Sequence, residues 1–496
     1  MSRSPVLDSL EARDPEAVVL RGAESAWTVP AMREAIQALH KMLDRGGRPA
    51  VVAVLADNGP AWAMADLAVL DAGIAHLPVP GFFSPAQMAH ALDRTGAAVL
   101  LTDQPERIAS LGLGFAQADT WCGLAVMRRP CARVALPAGT AKISFTSGST
   151  GQPKGVCLSA RGLLQTAQAI TARLSGVPVE RHLAVLPLAL LLENVAGIYA
   201  PLLQGATLHL PGLASLGWQG MAGFDPARLQ QRVQDSQANS AILVPELLKA
   251  WTFHLGRRGE NAPASLRYVA VGGACVSREL LHAAKALGLP VYQGYGLTEC
   301  GSVVCLNRPD DECDGVGRPL DHVEVRIDDS GEIRIAAHAF LGYLGEAPHS
   351  PDADFPTGDL GHWTPTGHLQ LHGRRKNLLI NSFGRNVAPE WIEAALLAEP
   401  AIAQAVVVGD GEAWLAALLA PAAGADPGAV ADAVARVNSG LPDYARLGGW
   451  LPVPPFTPDN GLATGNGRPV RTRIHQEHAA ALAALYSEKE STHVVL

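Results

Sequence analysis

Short apolar runs alternate with segments of helical spacing through the first three hundred residues. Ala50 to Leu55 is an unbroken run of alanine, valine and leucine, which predicts a strand covered on both faces. Asp57-Asn58-Gly59-Pro60 comes next as turn material, and Met64, Leu67, Ala68 and Leu70 then recur at helical intervals up to Gly73. Ala97 to Leu101 predicts the next strand, and Lys142 to Phe145 another. Ser159 stands where it can cap a helix carrying Leu163, Ala167, Ile170 and Leu174 on one side. The alternation continues through Leu183 to Leu210 and Ala241 to Gly296. It predicts an α/β layered fold.

The pattern changes between residues 320 and 372. Val323 to Ile327 and Glu332 to Ile335 read as short strands joined by the turn Asp328-Asp329-Ser330-Gly331, the start of a small β-rich section. Gly373-Arg374-Arg375-Lys376-Asn377 is a charged, glycine-containing boundary. Beyond it come a helix around Pro389 to Leu397, strands at Ala405 to Val408 and Leu415 to Leu419, and an alanine-rich helical stretch at Gly424 to Gly440. That is enough for a small α/β domain.

Composition sets outer limits. A chain of 496 residues is too long for one core, and 48% apolar against 17% charged residues excludes disorder. A net charge of -8, with no basic or aromatic–basic patch, argues against nucleic acid as a partner. Cys300, Cys305 and Cys313 lie near one another but lack the paired short spacings of a zinc or iron–sulfur site, and read as reduced thiols. Asp8, Glu11, Arg13 and Asp14 interrupt any apolar signal segment. The most apolar run, Leu183 to Leu192, is broken by Pro187 and ended by Glu193, short of the ~20 residues a membrane helix needs. The expectation is a cytoplasmic protein without a transmembrane segment, a monomer or homodimer.

The chemistry begins at Ser144-Phe-Thr-Ser-Gly-Ser-Thr-Gly-Gln-Pro-Lys-Gly155, which concentrates hydroxyls, glycines and one lysine after an apolar run. Hydroxyls and exposed backbone N–H groups can surround phosphate oxygens while a lysine neutralises them. This is not the P-loop pattern, because the lysine lies between Pro153 and Gly155. Val269 to Ala274 is an apolar strand running into Gly272 and Gly273, where a flat ring can lie on bare backbone or where a tight turn needs positive φ. In Tyr292 to Glu299, Tyr295 offers an aromatic face, Thr298 a hydroxyl and Glu299 a carboxylate suited to a hard divalent ion; a core tyrosine and a surface glutamate are the plainer readings. Asp359, in Pro356 to Gly361, can accept from ribose hydroxyls or satisfy its own turn. Arg374 can offer forked donors or be a solvated boundary charge. Gly461 to Arg471 is a glycine-rich polar loop with Arg468 at its tip.

Taken together, Phe145 to Gly155, Tyr295-Gly-Leu-Thr-Glu299, Thr357-Gly-Asp359 and Gly373-Arg-Arg-Lys376 resemble the adenylate-forming superfamily of acyl-CoA synthetases, peptide-synthetase adenylation domains and luciferases. Asp57 to Trp62 and Ala72 to Pro78 extend the resemblance toward the N-terminus. It implies a large N-terminal domain over 1–373, with 320–373 as its β-rich subdomain, a hinge at 374–377 with Lys376 as its pivot, and a mobile C-terminal domain over 378–496. It also implies a two-step reaction: activation of a carboxylic acid by ATP with Mg²⁺, then transfer of the acyl group to coenzyme A or to the phosphopantetheine thiol of a separate acyl carrier protein.

Carried over by position, Thr146, Ser147, Gly148, Ser149, Thr150, Gly151 and Lys154 grip phosphates. Gly272, Gly273, Ala274, Tyr295 and Gly296 surround adenine. Thr298 and Glu299 serve phosphate and Mg²⁺, and Asp359 and Arg374 hold the ribose. Ser382 to Glu390 resembles the segment lining the thiol tunnel. Leu190 and Gly294 fall where relatives line the acid pocket. Leu188, Leu190, Leu191 and Leu192 favour an apolar acid, fatty or aryl, although leucines there also suit a core. The departure lies at Gly467-Arg468-Pro469-Val470-Arg471, where arginine stands in place of the family's catalytic lysine. The expected function is acid–thiol ligation with Arg468 as the catalytic cation. The rival is an adenylation-impaired relative that binds nucleotide or a carrier protein as a scaffold.

Overall fold

In the computed structural model, described residues are 5–45, 47–146, 153–219, 223–311, 315–350, 353–382, 385–464 and 467–493. Two large mixed sheets carry the first part of the chain. One has eight strands in the order Phe340–Tyr343, Lys154–Ser159, Thr140–Thr146, Ala75–Pro78, Val51–Leu55, Val99–Thr102, Leu124–Arg128 and Ala116–Trp121. The other has nine, with Val291–Tyr295, Tyr268–Val271, Ser240–Leu243, Arg181–Leu183 and Thr207–His209 side by side in its middle. Every residue of Val51–Leu55 is buried, as its unbroken apolar run requires.

Helix Pro60–Asp71 is buried on all sides from Trp62 to Leu70, because helix Val29–Asp44 covers the face turned away from the strands. Spacing alone reveals just one of those faces. Ser159 caps helix Ala160–Arg173, its Oγ accepting from the Gly162 N–H at 3.0 Å.

The β-rich section forms an antiparallel sheet in the order Glu324–Ile327, Glu332–Ala336, Phe355–Trp363, Leu369–Arg374. Phe340–Tyr343 leaves this sheet and pairs with Lys154–Ser159 instead, an excursion that local alternation does not reveal. Beyond residue 377 a separate sheet, Ile402–Val408, Leu415–Pro421 and Leu447–Pro452, packs with helices Pro389–Ala398 and Pro427–Gly440 around its own apolar core. No described helix is long and apolar enough to cross a membrane.

A buried polar knot ties the first part together. Asp66 Oδ1 accepts from His76 Nδ1 at 2.5 Å and from Lys142 Nζ at 2.6 Å, while Oδ2 accepts from Tyr199 Oη at 2.6 Å and Asn194 Nδ2 at 2.9 Å. Burial pushes the Asp66 carboxyl up, but Lys142 and His76 outweigh it and hold the group well below the ordinary carboxylate range. Asn194 and Tyr199 reach the same carboxylate because they lie five apart on a π-helical turn, Glu193–Tyr199. Gly197 permits that turn, since a Cβ there would stand 2.3 Å from Glu193 Oε1.

Asp66→Asn should therefore lower the thermal midpoint by roughly 5 °C or more, because it leaves the Lys142 ammonium buried without an anionic partner. Scanning calorimetry checks this; an unchanged midpoint would mean that the buried ammonium does not depend on the carboxylate.

Candidate functional site

Strands Thr140–Thr146 and Lys154–Ser159 form a hairpin, with Thr146 opposite Lys154 at its mouth. Ser147, Gly148, Ser149, Thr150 and Gly151, expected to grip phosphates, lie outside the described residues. Strand Phe340–Tyr343 runs along the other side of Lys154–Ser159. Lys154 Nζ lies 4.9 Å from the centre of the Tyr343 ring and 3.1 Å from Glu346 Oε1. The Tyr343 hydroxyl donates to Glu299 Oε1 at 2.9 Å, and burial, reinforced by that carboxylate, raises its pKa above the phenol range. Glu299 and Thr298 sit in the short turn Thr298–Cys300 beyond the nine-stranded sheet's strand Val291–Tyr295. Lys154 and Glu299, from different sheets, thus meet at one aromatic ring.

A second group gathers at the ends of Tyr268–Val271 and Val291–Tyr295. Gly272 is buried, whereas Gly273 and Ala274 are exposed. Gly273 has φ +87°, so the tight-turn reading holds there; at Gly272 a Cβ would meet the Gly294 carbonyl at 3.4 Å, so that position is a close approach of neighbouring backbone. Gly296 is required by packing, because a Cβ would fall 1.7 Å from the Ser302 carbonyl oxygen.

The Tyr295 ring is 9% exposed and packs with Cys300, Val304, Ile333 and Leu369. Its hydroxyl donates to Asp359 Oδ2 at 2.7 Å, and Arg374 Nε lies 2.9 Å from Asp359 Oδ1. Asp359 and Arg374 are register partners across the hairpin of Phe355–Trp363 and Leu369–Arg374. The carboxylate expected to meet ribose hydroxyls therefore already has protein donors at both oxygens.

Arg468 reaches this group from the far end of the chain. Its Nη2 donates to the Gly273 carbonyl at 3.0 Å, and its own N–H donates to Thr464 Oγ1 at 3.1 Å. The loop is anchored by Arg471, which pairs with Glu393 and donates to the Val407 carbonyl. Loss of hydration, then Arg374, lowers the Arg468 pKa, while Glu246 and Asp359 oppose the shift. Dehydration, then Arg374, also lowers the Lys376 pKa, with Arg468 adding to the effect. Arg374 pairs with Asp359, whose charge also acts on Lys376 and Arg468.

Leu190 packs elsewhere, beside the core that contains Leu183, Val185, Leu247 and Trp251, and Leu188 and Leu191 belong to the core that contains Trp62 and Tyr199. The segment is pinned by Asn58, whose Nδ2 donates to the Leu186 carbonyl at 2.9 Å and whose Oδ1 accepts from the Leu188 N–H at 2.9 Å. Glu193, which ends the apolar run in sequence, is fully buried beside His182 and accepts from the Leu186 N–H. Cys300 and Cys305 are buried thiols with raised pKa values, and Cys313 lies outside the described residues.

Sequence reasoning did not single out Tyr343, Glu346 or Lys249. Lys249, on helix Pro245–Arg258, donates to the carbonyls of Glu399 at 2.9 Å and Ile402 at 2.7 Å. Glu399 is the C-terminal cap of helix Pro389–Ala398, where carbonyls lack partners within the helix. This side chain joins the first part of the chain to the last. No signal in its own segment announces it, because its partners are backbone atoms some 150 positions away.

Similarity to known proteins extends over both parts of the chain. A family model described as AMP-binding enzyme matches residues 8–342, and one described as AMP-binding enzyme C-terminal domain matches residues 376–490. Long-chain-fatty-acid–CoA ligase FadD15 of Mycobacterium bovis is 26% identical over 523 residues, covering 86% of each chain. A 2-succinylbenzoate–CoA ligase of Bacillus velezensis is 31% identical over 297 residues, 54% of this chain and 56% of that protein. Among solved structures, o-succinylbenzoate CoA synthetase of Bacillus subtilis, in complex with its acyl-adenylate intermediate, matches with a TM-score of 0.73 at 20% identity, over 95% of this chain and 98% of the other. The amide bond synthetase McbA of Marinactinospora thermotolerans matches with 0.73 at 24%, over 95% and 99%. These structural matches establish a shared fold.

Removing the Lys249 amine should loosen the contact with Glu399 and Ile402. Lys249→Met should speed proteolytic cleavage within 374–377 by ~10-fold, since two carbonyls lose their donor. Burial holds the Lys249 pKa down to about 8, against the opposing pull of Glu399 and Glu246. The joined form therefore binds fewer protons than an exposed lysine between pH 8 and its ordinary range. The contact should tighten as pH rises through that window, and Lys249→Met should abolish the trend.

Proposed function

The chain belongs to the AMP-binding enzyme family, and we propose that it is an AMP-forming acid–thiol ligase of the acyl-CoA synthetase kind. The observation that carries this reading is that Arg374 pairs with Asp359 while Arg468, from the far end of the chain, meets the exposed backbone of Gly273. Clustered cations favour a polyanion, whose charge relieves their repulsion. The bare backbone next to them suits a flat base.

In the first step a carboxylate oxygen bonds to the α-phosphorus of ATP, and the bond to the β-phosphate oxygen breaks with release of pyrophosphate. In the second a thiol sulfur bonds to the acyl carbon, AMP leaves with the electron pair of the broken C–O bond, and the thiol proton passes to solvent. Activation is needed because a free carboxylate offers a thiol no good leaving group.

Thr146 and Lys154, with Ser147 to Gly151, serve the phosphates that leave. Arg468 steadies charge developing at the α-phosphate. Asp359 and Arg374 orient the ribose, and residues 374–377 form the hinge between an N-terminal domain over 1–373 and a mobile domain over 378–496.

The donor set fits a hard divalent ion held mainly by substrate. Among the described residues no group of three His, Cys, Asp or Glu side chains converges, and Glu299 presents one carboxylate whose Oε2 has no hydrogen bond there. Glu299, with Thr298 beside it, would hold Mg²⁺, which supplies charge neutralisation of the phosphates.

The acid is fatty or aryl, following relatives named for long-chain fatty-acid and 2-succinylbenzoate ligation; the leucines around Leu190 are spent on core packing and do not bear on it. Leu190 and Gly294 are its nearest candidates for lining residues. Coenzyme A is the favoured acceptor, since FadD15 and the 2-succinylbenzoate relative are named as CoA ligases; a carrier-protein phosphopantetheine is the alternative.

A panel of fatty and aryl acids, read as acid-dependent pyrophosphate exchange and then as thioester formation with coenzyme A or a phosphopantetheinylated carrier, tests the reading. Exchange with none of them would overturn it. Arg468→Ala should cut exchange ~10²–10³-fold, and Arg468→Lys should stay within about tenfold of the native enzyme. A large gain on Arg468→Lys would instead favour the impaired-scaffold alternative.

A further inference from the structure

We propose that Tyr343 is a positioning residue that fixes Lys154 and Glu299 relative to each other, and so sets the spacing between phosphate grip and cation. The inference rests on the proposed roles of Lys154 at the phosphates and Glu299 at Mg²⁺. The two groups come from different sheets, Lys154 from the eight-stranded one and Glu299 from beyond the end of Val291–Tyr295. Tyr343 touches both: its ring face lies 4.9 Å from Lys154 Nζ, and its hydroxyl donates to Glu299 Oε1 at 2.9 Å.

The ring itself is held in place. It packs edge-on against Phe340 at 5.0 Å between centres, and its strand is in register with Lys154–Ser159. A lysine stem has many rotamers, so a fixed π-face narrows where its ammonium can sit. A carboxylate held at one oxygen presents the other in one direction. The phenol gives this hydrogen bond as a neutral group, which adds no negative charge beside phosphates. Glu346, on the other side of Lys154, supplies an exposed ion pair of the weak kind and cannot fix the ammonium alone.

Tyr343→Phe removes the hydroxyl and keeps the ring; Tyr343→Leu removes both. The full-length protein is titrated calorimetrically without acid, with ATP at fixed Mg²⁺ and with Mg²⁺ at fixed ATP. Tyr343→Phe should raise the Mg²⁺ concentration for half-saturation ~3- to 10-fold while leaving metal-free ATP binding unchanged. Tyr343→Leu should also weaken metal-free ATP binding, because Lys154 loses its platform. On a Glu299→Gln background Tyr343→Phe should have no further effect, and the KM for the acid in pyrophosphate exchange should not move.

If Glu299→Gln raises the Mg²⁺ requirement but Tyr343→Phe does not, the role assigned to Tyr343 is wrong. If neither Glu299→Gln nor Lys154→Met alters Mg²⁺ or ATP binding, the underlying reading of the site fails instead. Should Tyr343→Leu fail to fold, Tyr343→Phe alone decides.

Discussion

The Asp66 carboxylate is the constraint on which the N-terminal architecture depends. Borne on helix Pro60–Asp71, it gathers donors from two strands of the eight-stranded sheet and from the π-helical turn that leads into the rest of the chain. Lys142 belongs to the strand that ends at Thr146, so the hairpin holding Lys154 is referenced to this point. Asn194 and Tyr199 belong to the turn that Glu193 begins, so the leucine-rich segment pinned at Leu186 is referenced to it as well. Buried ion pairs add little net stability, because dehydration offsets most of the attraction. What this one supplies is position, since an unpaired member would be costly and alternative packings are thereby excluded.

The candidate site inherits that rigidity on one side only. Lys154, Tyr343 and Glu299 are fixed through strand register and a ring whose edge is packed. Arg468, by contrast, rests on a surface loop and meets Gly273 through one hydrogen bond, aided by Lys249 and the anchoring of Arg471. The described contact includes polar links at Gly273, Glu399 and Ile402. Such links can be exchanged at low cost, which suits the proposed change of orientation.

Much of the fold was legible in the sequence wherever one local pattern decides the outcome. Val51–Leu55 reads as a strand because all its side chains are apolar. Ser159 reads as a cap because Leu163, Ala167 and Ile170 recur at helical spacing after it, and Gly273 as a turn because a positive φ needs glycine. The rest hides in long-range pairing. Tyr343 lies in a stretch that looks like part of the β-rich section, and only its register with Val156 brings it to Lys154. The π-helical turn carries the same apolar spacing as an ordinary helix start, so the buried roles of Glu193, Asn194 and Tyr199 leave no periodic mark. Tyr295 reads as an aromatic face, yet most of its ring is spent on packing and its hydroxyl on Asp359.

Arginine at position 468 has a physical rationale in this setting. The side chain is exposed on its loop yet lies near Arg374, and that neighbouring cation favours loss of a proton. Lys249, in a more buried place, shows that dehydration lowers an amine in this protein, with its pKa held down to about 8. Lys376, nearer the site, is displaced in the same direction and partly by Arg468 itself. A guanidinium starts so high that even a depressed value leaves it charged, whereas an ammonium starts lower. The fork adds a second advantage, since Nη2 can hold the Gly273 carbonyl while the remaining N–H donors stay available to an anion. An ammonium would have to divide one point charge between those tasks. Arginine at this position thus keeps a charged group that can hold the Gly273 carbonyl and still offer donors to an anion.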